Sequence, residues 1–341
     1  ADYQRNMPTV NLHGDAHIEQ YAATDVGRGL ADYDDATSGP AVVDLVRFGT
    51  SLRLAARLRG WPVDGLVARF LDGYQAALDD PEVAMRDPAV LPRLEARFPS
   101  DRTEFLDIVE GFMSPLDLDQ PEEVDAGYRR YRELMESKYP DLPEGYFDVV
   151  SLGRNRLGFG SALDQKILFR TQGPTDAPED DVVVEVKEVR DFRIPCAQHT
   201  MGGGAFRILV SRVRIGGYED KLLAQVPRGP DEAPDDRPFW VHEWRQDYVE
   251  LDIHDPRLLT ARSELAEIAW EVGVQLGRGH TLDIADPFRD QLRLAQTELL
   301  AEIRERILSL CIQLEAETLA SWKVFFQQTA PLVDEPLEPA P

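Results

Sequence analysis

The hydrophobic period of this chain changes twice, and that alternation limits the architecture more than any single residue does. Residues 40–60 carry Val42, Val43, Leu45, Val46, Leu52, Leu54 and Ala55 on one broad helical face, with Pro40 suited to a first turn and Gly60 to a C-terminal cap. Residues 62–78 predict a second helix, packed antiparallel on the first. Pro81, Pro88, Pro92, Pro99 and Pro115 cut the next stretch into short helices, and residues 121–138 predict a polar surface helix. From about Val149 short β-type runs take over, at 161–170, 182–189, 221–226 and 239–244, separated by Gly/Pro/Asp-rich segments. A helical stretch at 205–213 lies among them, and the helical period returns over 258–279 and 287–328. The order predicts an α+β chain with two lobes. A small, mostly antiparallel sheet lobe covers residues 150–246, and a larger helical lobe combines residues 1–149 with 247–330. The proline- and acid-rich residues 331–341 predict a disordered tail.

Composition removes several function classes. A net charge of -25 argues against nucleic acid or an anionic membrane as partner, because phosphate binding requires basic patches. No apolar run approaches the roughly 20 residues of a spanning helix, and no signal peptide opens the chain. The two cysteines, Cys196 and Cys311, have no metal-ligand spacing and make no disulfide framework, so a reducing cytoplasm is expected. The chain opens on Ala1 rather than Met, with a strand-like run within about ten residues, so a longer natural N-terminus is expected.

The chemistry concentrates in residues 12–44, which hold seven acidic residues and two histidines around glycine turns. Asp15 follows His13-Gly14, Gln20 comes five residues later, and Asp32-Tyr33-Asp34-Asp35 follows a glycine turn. Phosphoryl transfer needs an acidic residue beside the acceptor hydroxyl and oxygen ligands that hold magnesium against the phosphates. A second motif, Gly158-Phe159-Gly160-Ser161, opens the sheet region; glycines there let backbone N–H groups approach phosphate. By itself it is also an ordinary hairpin turn. Lys187, on the strand VVVEVKEV, sharpens it, because an ammonium inside an apolar strand needs a partner. It shares a strand face with Glu185. His13, Asp15 and His17 admit a zinc reading, with structural hydrogen bonding the simpler one. Trp240 and Trp244 alternate on one strand face, a pattern met more often in core packing than in stacking platforms.

The runs HGDAHIEQ, ADYDDATSGP followed by VVD and LVRFG, then GFGS, VEVKEV and LGRGH occur in one order. That order resembles the bacterial family called domain of unknown function 2252, whose members carry GDAH-x-x-N-F-G, N-D-F-D-E, G-P-x-x-W-D-L-x-R-L, G-x-G-S, V-K-E-A and L-A-x-A-H-A. The resemblance runs from about residue 10 to 280. That family is similar to aminoglycoside phosphotransferases and other kinase-like proteins with the lobe order circularly permuted. The resemblance implies a two-lobed, permuted protein-kinase-like fold that moves the γ-phosphate of ATP, with Mg2+, to a hydroxyl of a small-molecule acceptor. Asp15 would be the catalytic base. Gln20, Asp32 and Asp34 would hold the metal, with His13 and Asp44 bracing the catalytic loop. Gly158, Phe159, Gly160 and Ser161 would cover the phosphates and Lys187 would hold them. Trp240 and His242 would lie in the hinge run that faces adenine.

Two departures keep rival readings open. Gln20 stands where the family has Asn, one methylene longer, and His242-Glu243-Trp244 differs from the family's hinge run. The helix at 205–213 offers Arg207 and Arg212 but no Glu to pair with Lys187. A nucleotide-binding pseudokinase, AMP transfer on the same fold, and a non-nucleotide structural protein are the alternatives.

Overall fold

Helix and strand alternate as the hydrophobic period does. A computed structural model describes residues 7–116, 121–155, 165–189, 204–216, 221–226, 239–283 and 288–329. Four short strands, β1 (Thr9–Leu12), β2 (Tyr21–Thr24), β3 (Arg28–Leu30) and β4 (Thr37–Pro40), frame the acidic segment. Helices α1 (Val42–Leu58), α2 (Leu66–Asp79), α3 (Leu91–Glu95) and α4 (Arg102–Phe112) follow, then β5 (Met113–Ser114) and α5 (Pro121–Lys138). The sheet region contributes β6 (Val149–Asn155), β7 (Lys166–Thr171), β8 (Val182–Glu188), α6 (Ala205–Gly216), β9 (Ala224–Val226) and β10 (Phe239–Glu243). Strand β11 (Tyr248–Glu250) and helices α7 (Arg262–Thr281) and α8 (Arg289–Thr329) complete the order.

The molecule is α+β, and every strand pair is antiparallel. Its six-stranded sheet has the order β5-β6-β7-β8-β10-β9. One face is apolar. Ile167, Phe169, Val184, Val186 and Val241 pack there on Tyr128, Tyr131 and Met135 of α5, with Tyr128 stacked on Phe169 at 4.2 Å. The opposite face is divided. At one end Phe105, Leu106 and Val109 of α4 cover Leu168 and Val183. At the other end the register sets Lys166 and Trp240 on either side of Lys187, and Leu168 and His242 on either side of Glu185. This polar end looks toward the acidic segment.

The helical part is organised by backbone contact between α2 and α7. A Cβ added at Gly73 would sit 2.2 Å from the Trp270 carbonyl oxygen, and one at Gly273 would sit 2.2 Å from that of Phe70. Glycine at both positions lets the helices approach closer than side chains allow. Helix α8 buries Leu300, Ile303, Ile307 and Cys311 in the same core. It is fastened to α1 where buried Glu315 accepts from Arg53 Nε at 2.7 Å and Arg57 Nε at 2.7 Å.

Several elements differ from the periodicity reading. Residues 289–329 form a single helix of 41 residues, where the periodicity admits one or two. Tyr248–Glu250, expected in the helical part, is a strand paired with β2. Three residues are too few to show alternation, and the pairing partner lies more than 200 positions away. Met113–Ser114 and Val149–Asn155 extend the sheet, because Gly153 opens room for Met113; a Cβ there would be 2.6 Å from the Met113 Cβ. Strand β7 begins at Lys166. Gly158, Phe159, Gly160, Ser161, Cys196 and the residues of the tail lie outside the described residues. Among the described residues no helix is long and apolar enough to cross a membrane.

Candidate functional site

Pairing of β1 with β4 brings the two ends of the acidic segment together, so the 13–16 turn and the 31–36 turn face each other. Gly14 makes this possible. Its φ is +86°, and a Cβ there would meet the Asp35 carbonyl oxygen at 2.0 Å. The first turn is held from below by Asp44, which is fully buried in the first turn of α1. Its carboxylate accepts from His13 N–H at 2.7 Å and Gly14 N–H at 2.9 Å, and lies 3.1 Å from His280 Nε2 at the end of α7. Tyr74 hydroxyl lies 2.9 Å from His280 Nδ1 and fixes that ring from the other side. Burial works against the Asp44 charge, but the bond to His280 and the charges of His280 and His13 outweigh it and draw the carboxyl below its usual range.

His13 is buried and points away from Asp15, with Nε2 at 2.8 Å from the Ala31 carbonyl oxygen. Burial lowers its pKa against the pull of Asp44. The ring thus ties the first turn to the residue before Asp32. Asp15 itself projects to the open side, paired with Arg47 of α1 and with His17 Nε2 at 3.7 Å.

Asp32 adopts φ 53°, a left-handed conformation that a non-glycine residue takes up at a cost of order 1 kcal/mol. Tyr33 then turns inward, its hydroxyl donating to the Leu30 carbonyl at 2.9 Å, while Asp32 and Asp34 both turn to the sheet. There Lys187 Nζ lies 3.2 Å from Asp32 Oδ1 and 2.6 Å from Asp34 Oδ2, with Lys166 Nζ 4.0 Å from Asp34. The buried ammonium has two carboxylates as partners. Burial disfavours its charge, but Asp32 and Asp34 more than offset this and raise the Lys187 pKa. Two acids around one lysine do not ionise alike. Burial and the Asp32 charge push Asp34 up to about 6. Lys187 and Lys166 overcome the burial of Asp32 and hold it well below the usual range.

Neighbouring groups fix this pair. Trp240 Nε1 donates to Asp34 Oδ1 at 3.2 Å, and Lys187 Nζ lies 5.3 Å from the Trp240 ring centre. Arg207 of α6 donates to the carbonyl oxygens of Asp34, at 2.7 Å, and Ala36. Gln275 of α7 accepts from Leu30 N–H at 2.8 Å and donates to the Ile215 carbonyl at 3.0 Å, joining the β3 end to α6. Deeper on the same sheet face, buried Glu185 accepts from Asn155 at 2.7 Å and lies 3.0 Å from His242 Nε2. Burial would raise its pKa, but the His242 bond and the Lys187 charge hold it at about 2.

The structure therefore brings Asp15, Gln20, Asp32, Asp34, His13, Asp44 and Lys187 into one region. Gln20 is buried, and its backbone carbonyl accepts from Ala31 N–H at 2.7 Å, across the hairpin next to Asp32. Trp240 is 1% exposed, with its indole N–H on Asp34 and its ring beside Lys187. Four further participants, Arg47, His280, Glu185 and Arg207, lie in runs noted in the sequence but are not among its candidate site residues. The LGRGH helix end carried a signal for His280, and the glutamate two positions before Lys187 one for Glu185. Arg47 falls on the arginine of the G-P-x-x-W-D-L-x-R-L run, whereas the backbone contacts of Arg207 have no local sign. Among the described residues no group of three His, Cys, Asp or Glu side chains has metal-holding geometry, and His13 faces the Ala31 carbonyl rather than Asp15 and His17.

No curated protein and no solved structure matches the chain. Its first turn, its acidic pair and the brace at Asp44 all fall in the part that a family model does match: over residues 1–93 the chain is similar to the family described as uncharacterized protein conserved in bacteria (DUF2252).

Proposed function

We propose that the protein transfers the γ-phosphate of ATP, with magnesium, to the hydroxyl of a small-molecule acceptor. The observation that carries this reading is the convergence of Lys187, from a sheet strand, with Asp32 and Asp34, from a separate turn, at 3.2 and 2.6 Å. Kinases hold phosphates with a lysine on the third strand of their sheet and magnesium with an aspartate beside it. Counted from β6, Lys187 is on the third strand, and the order β6-β7-β8-β10-β9 with α6 between β8 and β9 supports a kinase-like sheet lobe. The acidic turns precede that sheet in the chain, as a permuted arrangement requires.

The donor set suits magnesium: Asp32, Asp34 and Gln20 offer oxygen atoms, which a small hard cation prefers. When bound, Mg-ATP supplies the phosphoryl group and the neutralisation of its charge. Lys187 turns from the aspartates to phosphate oxygens. Asp15 takes the proton of the acceptor hydroxyl as that oxygen bonds to phosphorus and the bond to the departing ADP oxygen breaks. Asp44 keeps Asp15 in position through the backbone of His13 and Gly14. Positioning and fixed charge, rather than covalent chemistry by the protein, provide the rate gain. Gln20 in place of Asn favours a second reading, a nucleotide binder without transfer; AMP transfer is a third.

Calorimetry with Mg-ATP, together with mass spectrometry of a panel of hydroxyl compounds, tests these readings. Wild type is expected to bind Mg-ATP and add one phosphate to an acceptor. Asp15→Asn is expected to bind Mg-ATP and to transfer nothing. Undiminished transfer by Asp15→Asn refutes the role of Asp15. Binding with no product points to the second reading, and a gain of AMP to the third.

A further inference from the structure

Among the described residues, several basic side chains near the acidic segment are committed to the fold. Arg28 Nε lies 2.5 Å from buried Glu271, Arg53 and Arg57 hold Glu315, and Arg207 is spent on backbone oxygens. Arg47 differs. It sits three residues after Asp44 on α1, so one helix end meets the 13–16 turn twice, by its buried carboxylate and by this cation. Its described partner is Asp15, and 53% of its side chain meets solvent. A guanidinium carries five N–H donors, more than one carboxylate engages.

We infer that Arg47 makes the acceptor pocket select a hydroxyl compound that also carries a carboxylate or phosphate, and that this anion draws Arg47 off Asp15. The inference rests on the reading of Asp15 as the group facing the acceptor. Charge decides the sign. At a net charge of -25 the protein repels anions, so an anionic acceptor needs a local cation. A cationic acceptor would meet repulsion from Arg47 at the point of reaction. In the free protein the ion pair occupies Asp15 Oδ1; a competing anion leaves that oxygen free to accept the hydroxyl proton.

Calorimetry with three probes built on one hexose ring, anionic, neutral and cationic, tests this without turnover: glucose 6-phosphate, glucose and glucosamine. Wild type is expected to bind glucose 6-phosphate best. Arg47→Gln weakens that binding by about tenfold and Arg47→Lys by less. Asp15→Asn strengthens it by about threefold, because the anion no longer competes with Asp15 for the guanidinium. A merely structural arginine predicts no such gain. The inference is overturned if wild type binds no glucose 6-phosphate, or binds glucose or glucosamine equally well. Unchanged binding in Arg47→Gln, or weaker binding in Asp15→Asn, also overturns it. Circular dichroism confirms that each variant is folded. Mg-ATP titrated into the same samples separates the two ideas: probe binding that depends on Arg47 without Mg-ATP binding refutes the phosphotransferase alone, and the converse refutes the anion site alone.

Discussion

Asp44→Asn preserves the size and shape of a buried side chain and removes only its charge and one acceptor. The native carboxylate accepts from Gly14 on Oδ1 and from His13 on Oδ2, with His280 against Oδ2 as well. Asparagine keeps the carbonyl on the side with two donors and turns its NH2 toward Gly14 N–H. One charge-assisted bond is lost, the others weaken, and a buried N–H is left facing a donor. With about 1.5–3 kcal/mol for a hydrogen bond to a charged group, and a similar penalty for an orphaned one, the expected cost is about 2–4 kcal/mol. That corresponds to a melting temperature lower by roughly 3–6 °C. The cost must also depend on pH in one direction. The folded carboxyl is held below its usual value, so its contribution is complete above the unfolded pKa near 4 and fades as pH falls through the folded one. Urea unfolding of both proteins between about pH 7 and pH 3 measures this. A difference under about 0.5 kcal/mol at neutral pH, or one that does not narrow on acidification, refutes the bracing argument.

Lys187→Met removes the cation that two carboxylates share, and Mg-ATP binding by calorimetry is expected to fall by at least about tenfold. Unchanged affinity removes the main support for the proposed function. Gly73→Ala places a methyl 2.2 Å from the Trp270 carbonyl oxygen, and thermal melts are expected to show a loss of about 3 kcal/mol or more as α2 and α7 part. Glu315→Ala leaves Arg53, 12% exposed, without its partner and should cost about 2–4 kcal/mol by urea unfolding; a neutral result means α8 is held by its apolar stripe alone.

The parts legible in the sequence were those written in local pattern. The period of residues 40–60 foretold α1, and alternation in VVVEVKEV foretold β8 and the shared face of Glu185 and Lys187. Acidic side chains at glycine turns marked a site because such charges gain nothing from being buried without partners. What was not legible is how distant segments meet. Lys187 finds Asp32 and Asp34 across more than 150 residues, and nothing near Lys187 names them. Trp240 favoured core packing over a stacking platform, yet alternation gives its face and not what covers that face. Arg47 falls on the arginine of the D-L-x-R run, but nothing local says that it meets Asp15 while Arg53, six residues on, holds Glu315 of α8. β11 was missed because its three residues owe their conformation to β2 rather than to their own pattern.

The bond between Asp44 and His280 spans 236 residues, and Asn11 reaches the Gly279 carbonyl across 268. This has a consequence for the protein while it is being made. At about 5–20 residues per second, synthesis separates Asp44 from His280 by roughly ten to fifty seconds. Throughout that interval the acidic turns exist as chain but lack the imidazole that secures their brace, and for much of it they lack Lys187. The segment that the family model matches emerges first and is completed last. That interval is when the unpaired acids are most open to a chaperone or a protease.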